Sequence, residues 1–174
     1  MMAAPAPTSA GARAPSFDTA AFRGALGMFA TGVTIVTARS ADGTLVGLTA
    51  NSFNSVSLTP PLVLWSLSQH AASMAVMRHT THYAINILSA EQQALAMTFA
   101  SKDTNRWAGV SFELGRSGAP LLHGAVAHFE CFNRSRYSEG DHVIFVGEVE
   151  HCQHQGGAAP LLYHGGKFYT EHPL

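Results

Sequence analysis

Six side chains that donate or accept hydrogen bonds fall within nine positions of this chain: Thr49, Asn51, Ser52, Asn54, Ser55 and Ser57. The run around them, Gly47 to Pro61, holds no charged residue. Ala50 and the serines are small enough to let the backbone approach something flat or phosphorylated. A solvated loop ordinarily carries Lys, Glu or Asp, and an apolar core strand does not carry so many hydroxyls. The pattern predicts a buried polar lining, where each group needs a partner and a ligand is the natural one. Hydroxyls and backbone N–H groups can hold a phosphate without a glycine loop. That matters because the chain has neither a G-x-G-x-x-G nor a Walker A motif. An edge strand with solvated hydroxyls is the competing reading of the same residues.

Other chemistries find less support. The chain has ten histidines, and the best clusters are His151-Cys152-Gln153-His154 and His79 with His82. In a strand, residues 151 and 152 point to opposite faces. No C-x-x-C or H-E-x-x-H accompanies them, so no metal site is expected. No G-x-S-x-G elbow is present either, which argues against a Ser-His-Asp hydrolase.

The elements that must position these residues follow from periodicity and punctuation. Asp18 can cap a helix carrying Phe22, Leu26 and Phe29 on one face, and Thr31-Gly32 should end it. Val33 to Thr37 reads as a strand. Asp42-Gly43 predicts a hairpin turn, with the chain returning from Thr44 to Ser52. Val56 to Leu58 continues extended, and Pro60-Pro61 should break the ladder before a strand from Leu62 to Leu67. Ser73 opens a short helix through Met77, and Tyr83 to Leu88 is a strand. Ser89 to Gln92 has capping-box spacing and starts a helix to about Ala100. After a loop through Gly109 come two long strands, Ala125 to Asn133 and His142 to His154, joined through Ser138-Glu139-Gly140-Asp141. Lys167 to Tyr169 can add a last strand. Many strands, few helices and no βαβ alternation argue for an antiparallel sheet closed into a barrel, with helices at its rim.

Composition bounds the rest. Hydrophobic residues make up 47% of the 174, enough for one core-bearing domain, expected over residues 16–174. Residues 1–15, rich in Ala and Pro, are expected to be a disordered tail without signal-peptide organisation. Cys131 and Cys152 are expected to be reduced, buried thiols of a cytoplasmic protein. A net charge of −1 gives no field for nucleic acid, and no apolar run suits a membrane span. Only 12% of residues are charged, which suggests a face covered by a second copy. Val33 to Trp65, with only Arg39 and Asp42 charged, is the expected covered surface.

Three segments together resemble a known family: Phe29-Ala30-Thr31-Gly32-Val33, the polar run from Gly47 to Pro61, and Gly140-Asp141-His142. With Pro160-Leu161-Leu162-Tyr163 near the end, their order and spacing resemble the short-chain NAD(P)H:flavin oxidoreductases, from about Phe22 to Tyr169. These are the flavin reductase components of two-component flavin-dependent monooxygenases. The resemblance implies a mainly β, antiparallel split β-barrel of the FMN-binding, Greek-key type with a few peripheral helices, working as a homodimer. It implies FAD or FMN and NADH as ligands, NADPH being disfavoured because no Arg-rich pocket for a 2′-phosphate is evident. A monooxygenase would receive the reduced flavin.

The resemblance also assigns residues. Thr49, Ala50, Asn51 and Ser52 would run along the isoalloxazine and ribityl chain, with Ser55, Val56 and Ser57 near the ring edge or phosphate. Ser66, Leu67, Ser68 and Tyr169 are further candidates. Ser73 would meet the phosphate at a helix start, or serve as a plain N-cap. Phe99 and Ala100 precede Lys102 and Arg106, which can hold a phosphate as a point charge and a bidentate fork. Thr104 and Asn105 stand where the family often has an acidic residue. His142 would lie by the nicotinamide, oriented by Asp141. Two alternatives stay open: an oxidase that keeps FMN tightly bound, and a non-catalytic flavin-binding module.

Overall fold

The computed structural model describes residues 13–172. The tail expected over residues 1–15 therefore lies outside the described residues up to residue 12. In chain order the elements are α1 (Thr19–Gly27), β1 (Thr31–Gly32), β2 (Thr34–Arg39), β3 (Leu45–Ala50), β4 (Asn54–Leu58) and β5 (Pro61–Ser68). Then follow α2 (Met74–His79), β6 (His82–Ile87), a 3-10 turn (Ala90–Gln92), α3 (Gln93–Ala100), β7 (Phe112–Leu114) and β8 (Pro120–Leu122). The last four are β9 (Ala127–Glu139), β10 (His142–His154), β11 (Leu161–His164) and β12 (Lys167–Thr170).

Seven strands form one antiparallel sheet in the order β3-β2-β6-β9-β10-β5-β4. The closed barrel expected from the strand count is not formed, because edges β3 and β4 share no ladder. Yet only Asn51, Ser52 and Phe53 separate those two edges in the chain. Seven strands laid flat span six spacings of ~4.8 Å, or about 29 Å. Four Cα steps from Ala50 to Asn54 reach about 15 Å at most. The sheet must therefore curl until its edges nearly meet. Ser52 bridges the gap: its hydroxyl accepts from the Ser66 N–H at 2.9 Å and donates to the Ser66 carbonyl at 3.3 Å.

The inside of the curl is the main core. Trp65 stacks on Phe145, its cross-strand partner, at 4.6 Å, and meets Tyr83 edge-on at 5.6 Å. A Cβ at Gly147 would run into the Tyr83 hydroxyl and the Cys131 side chain, so glycine there makes room for the tyrosine. Val36, Ala38, Leu48 and Ala50 also face this core. A second core lies on the other face, where Val33, Ile35, Leu88, Phe99 and Leu161 pack together beneath α3 and β11. β2 is thus buried on both faces, which explains why it lacks charge. Asn86 ties the layers: its amide donates to the Ile35 carbonyl and Thr37 hydroxyl, and its oxygen accepts from the Leu122 N–H.

Of the surface expected to be covered by a partner, Val33 to Trp65, β2 is the chain's own interior and β3 and β5 are partly so, whereas β4 is mostly exposed. Large exposed apolar residues lie on β4, inside that stretch, and around α1, outside it. On β4 they are Val56 and Leu58; along α1 and just past its end they are Phe22, Leu26, Met28 and Phe29. Asp18 caps α1 as expected, accepting from the Ala21 N–H at 2.8 Å. Thr31-Gly32 does not merely end the helix; it forms β1, which pairs with β11. Ser89 and Gln92 make the expected start signal, the Gln92 side chain accepting from the Ser89 N–H at 3.1 Å. A 3-10 turn comes first, however, and α3 begins only at Gln93. β9 runs six residues beyond the expected Asn133, so the connection to β10 shrinks to Gly140 and Asp141. Cys131 is buried as expected, but Cys152 is exposed. No helix among the described residues is long and apolar enough to cross a membrane.

Candidate active site

The structure gathers the sequence candidates into three groups. The first lines two adjoining cavities, of about 440 and 760 Å³, that share Asn51, Tyr163 and Gly166. Thr49 and Ala100 line the smaller of these, Ser52 the larger. Both sizes are in the range of ligand pockets, roughly 300–1,000 Å³. Thr49 is fixed by packing of α3 on β3, its hydroxyl donating to the Ala96 carbonyl at 2.6 Å. Asn51 is exposed in the splice between the sheet edges, and its amide forms no hydrogen bond to the described residues. Arg23, Leu26 and Phe29 from the α1 region and the Gly165-Gly166 turn complete the larger wall.

The second group lies on the outer face of β5 and β10. Ser68 stands opposite His142 in the ladder, and Ser66 opposite Ile144. Two residues along β5 and one strand across place His142 roughly 8 Å from Ser66, the residue that Ser52 holds. His142 thus neighbours the splice without lining its cavities. Nδ1 of His142 lies 2.6 Å from Asp141 Oδ1. That hydrogen bond, and then the charge of His142, hold the Asp141 carboxyl below its usual range. The carboxylate accepts, so Nδ1 is the donor, and in the uncharged form of the ring Nε2 is left as an acceptor. Gly140, with φ of 58°, makes the tight turn, and Gln69 ties it down by donating from its side chain to the Gly140 carbonyl and from its N–H to the Asp141 carbonyl.

The third group is smaller. Ser73 and Arg106 line a cavity of about 120 Å³ with Gly47 and Trp107. Ser73 is the residue before α2 but makes no side-chain cap bond. Arg106 donates to the carbonyls of Gly47 at 3.3 Å and Phe99 at 3.2 Å. Gly47 is glycine because the Phe99 ring lies directly on its backbone.

The remaining candidates stand apart. Ala50, Leu67 and Phe99 point their side chains into the cores. Ser55 and Val56 are exposed on β4, Lys102 is exposed, and Tyr169 lies on β12 beside His164. The expectation of a buried polar lining is corrected in part. Asn51, Asn54 and Ser55 are exposed, and Thr49, Ser52 and Ser57 bond to protein groups. Of these hydroxyls Ser52 stitches the sheet edge to β5, Thr49 ties β3 to α3, and Ser57 accepts from Thr59 two residues on. The sequence reading missed Arg23, Tyr163, Gly166 and Phe168 as cavity walls. Gly165-Gly166, both at positive φ between two aromatic residues, was the available signal, since paired glycines mark a tight hairpin.

Neutral polar groups, apolar walls and arginines at the rim suit flat, phosphorylated ligands better than hydrolysis. Comparison with known proteins agrees. Residues 26–172 match the family model described as flavin reductase like domain, and the chain belongs to that family. The FMN reductase (NADH) of Agrobacterium fabrum is 42% identical, over 87% of this chain and 85% of its own length. The reductase subunit of a flavin-dependent monooxygenase from Rhodococcus jostii is 36% identical, over 89% and 79%. The NADH:FAD oxidoreductase of Streptomyces globisporus, solved with NAD and FAD fragments, matches with a TM-score of 0.85 at 39% identity, covering 90% of this chain and 94% of that one. One Rhizobium meliloti relative, 43% identical over 88% of this chain, is longer, and the chain spans 49% of it.

Proposed function

We propose that this chain is an NADH-dependent flavin reductase that takes FMN or FAD as an exchanging substrate and supplies the reduced flavin to a partner monooxygenase. The observation that carries the reading is the juxtaposition of a neutral, apolar-walled groove at the splice with the Asp141–His142 pair one strand away. Nicotinamide and flavin supply the hydride chemistry themselves when bound, so the site needs no acid–base pair.

The residues then have binding and orienting roles. Asn51 offers a free amide to a ring edge, while Tyr163 and Phe168 give apolar walls that exclude water. Thr31 also lines the larger cavity, and its buried hydroxyl has no partner among the described residues. Arg23 and Arg106 stand at separate cavities as candidate phosphate ligands. Nε2 of His142 can accept from a nicotinamide carboxamide, and Asp141 keeps the ring in the tautomer that does so. Anaerobic stopped-flow mixing with NADH and FMN or FAD tests this: flavin absorbance should bleach in a single transfer. NADH oxidation in the absence of added flavin would defeat it.

The sheet curl supports a split-barrel arrangement, and residues 16–174 read as one flavin reductase-like domain. A homodimer is part of the same reading. Phe22, Leu26 and Phe29 are 49, 57 and 73% exposed on α1 and just past it, and Leu26 and Phe29 also wall the groove. A second copy covering α1 would bury them and close the groove. Light scattering at micromolar protein should give the dimer mass; an active monomer would refute this. The unpaired cysteines fit a reducing cytoplasm.

A further inference from the structure

A second cavity lies away from the flavin groove, where the β7–β8 hairpin covers the far end of the β9–β10 ribbon. It measures about 340 Å³, and its lining includes Glu113, Arg116, His128, Glu130, His151 and Cys152. Glu130 is 7% exposed. Its Oε2 accepts from the Ser117 N–H at 3.2 Å and lies 3.5 Å from the Ser117 hydroxyl. Its Oε1 forms no hydrogen bond to the described residues and opens on the cavity. Gly115 seats the hairpin directly on this carboxylate, since a Cβ there would run into it.

Glu130 has no ion-pair partner among the described residues. The ion pairs are His82–Glu150, Arg134–Glu148 and His142–Asp141, and none includes Glu130. Arg116 lines the cavity without pairing. His128, two residues along the same face, is not the missing cation. Its Nε2 donates to the Leu122 carbonyl at 2.9 Å and its Nδ1 lies 3.2 Å from the Gln153 amide, so both ring nitrogens are engaged away from Glu130. His151 stands opposite Glu130 in the ladder but is exposed. A buried carboxylate with one bare oxygen and no direct ion pair favours a ligand that completes it. A metal ion is a poor candidate, because no three His, Cys, Asp or Glu groups among the described residues gather to hold one. Leu114 and Leu121 give the cavity an apolar side.

We propose that this cavity binds a small organic ammonium ion, its head on Glu130 Oε1 and its short alkyl part against Leu121. The site is independent of the flavin reading. Cys152 supplies the probe: it is exposed and lines the cavity, whereas Cys131 is buried, and burial foremost pushes its thiol up to about 12. Alkylation of the native protein by iodoacetamide should therefore report Cys152 alone. n-Butylammonium should slow that alkylation saturably, and n-butanol and butyrate should not. Glu130→Gln should weaken the protection by roughly 10- to 100-fold, the worth of a hydrogen bond to a charged group. NADH–flavin turnover should be unchanged in the variant. Equal protection by butanol, no saturable protection by butylammonium, or full protection in Glu130→Gln would each overturn the proposal.

Discussion

Replacing Ser52 with alanine separates the two jobs of the polar run. The Ser52 hydroxyl serves the N–H and carbonyl of Ser66, just past the last β4–β5 pair, Asn54 with Leu64. A side chain there stands in for a strand neighbour. Its removal leaves one donor and one acceptor unserved at a half-buried position. A neutral hydrogen bond contributes about 0.5–1.5 kcal/mol net, so Ser52→Ala should lose about 1–3 kcal/mol of unfolding free energy. The lower half of that range is expected, because the second contact is long at 3.3 Å. Ser55→Ala is the control. Ser55 is exposed and its hydroxyl bonds to none of the described residues, so stability should change by no more than about 0.5 kcal/mol. Urea unfolding followed by the fluorescence of Trp65 and Trp107 reads both variants through the midpoint at constant slope. Quenching of flavin fluorescence reads affinity. Ser52→Ala should lose stability and affinity together, and Ser55→Ala should change neither. A Ser52→Ala midpoint equal to that of the unaltered protein would refute the argument.

Two further outcomes test the site and the hairpin. On the proposed placement of His142 by the nicotinamide, His142→Ala should raise the KM for NADH while leaving flavin quenching unchanged; matched losses of both would remove His142 from that role. Asp42 should titrate at about 2 rather than 3.8 by carboxyl NMR, held down first by the Ser40 hydroxyl and then by the Thr44 N–H. A depressed carboxyl stabilises the β2–β3 hairpin fully above its ordinary pKa and loses that contribution as pH falls through about 2, so a midpoint near 3.8 would contradict the turn geometry.

Local signals were legible in the chain, and long-range ones were not. Asp18, Asp42-Gly43 and Ser89 with Gln92 announced a cap, a turn and a helix start because each works through neighbours three residues away or nearer. The scarcity of charge from Val33 to Trp65 was visible, but for Val33 to Ala38 its cause lies inside the chain. Burial on both faces by the chain's own layers produces the same composition as burial by a partner. The hydroxyls of the polar run were legible as groups in need of partners. That Thr49 finds Ala96 and Ser52 finds Ser66 depends on contacts 47 and 14 residues apart, which no local spacing encodes. The β7–β8 hairpin escaped notice because its strands are only three residues long.

The three residues between β3 and β4 act as a clasp that sets the girth of the sheet. An insertion at Asp42-Gly43 lengthens a hairpin tip and leaves the girth alone, whereas one at Asn51 to Phe53 lets out the clasp. The stretch proposed to meet the flavin therefore cannot drift in length without loosening the whole molecule. Adaptation to a different flavin or dinucleotide has to come from the walls around it: α1, α3 and the Gly165-Gly166 turn.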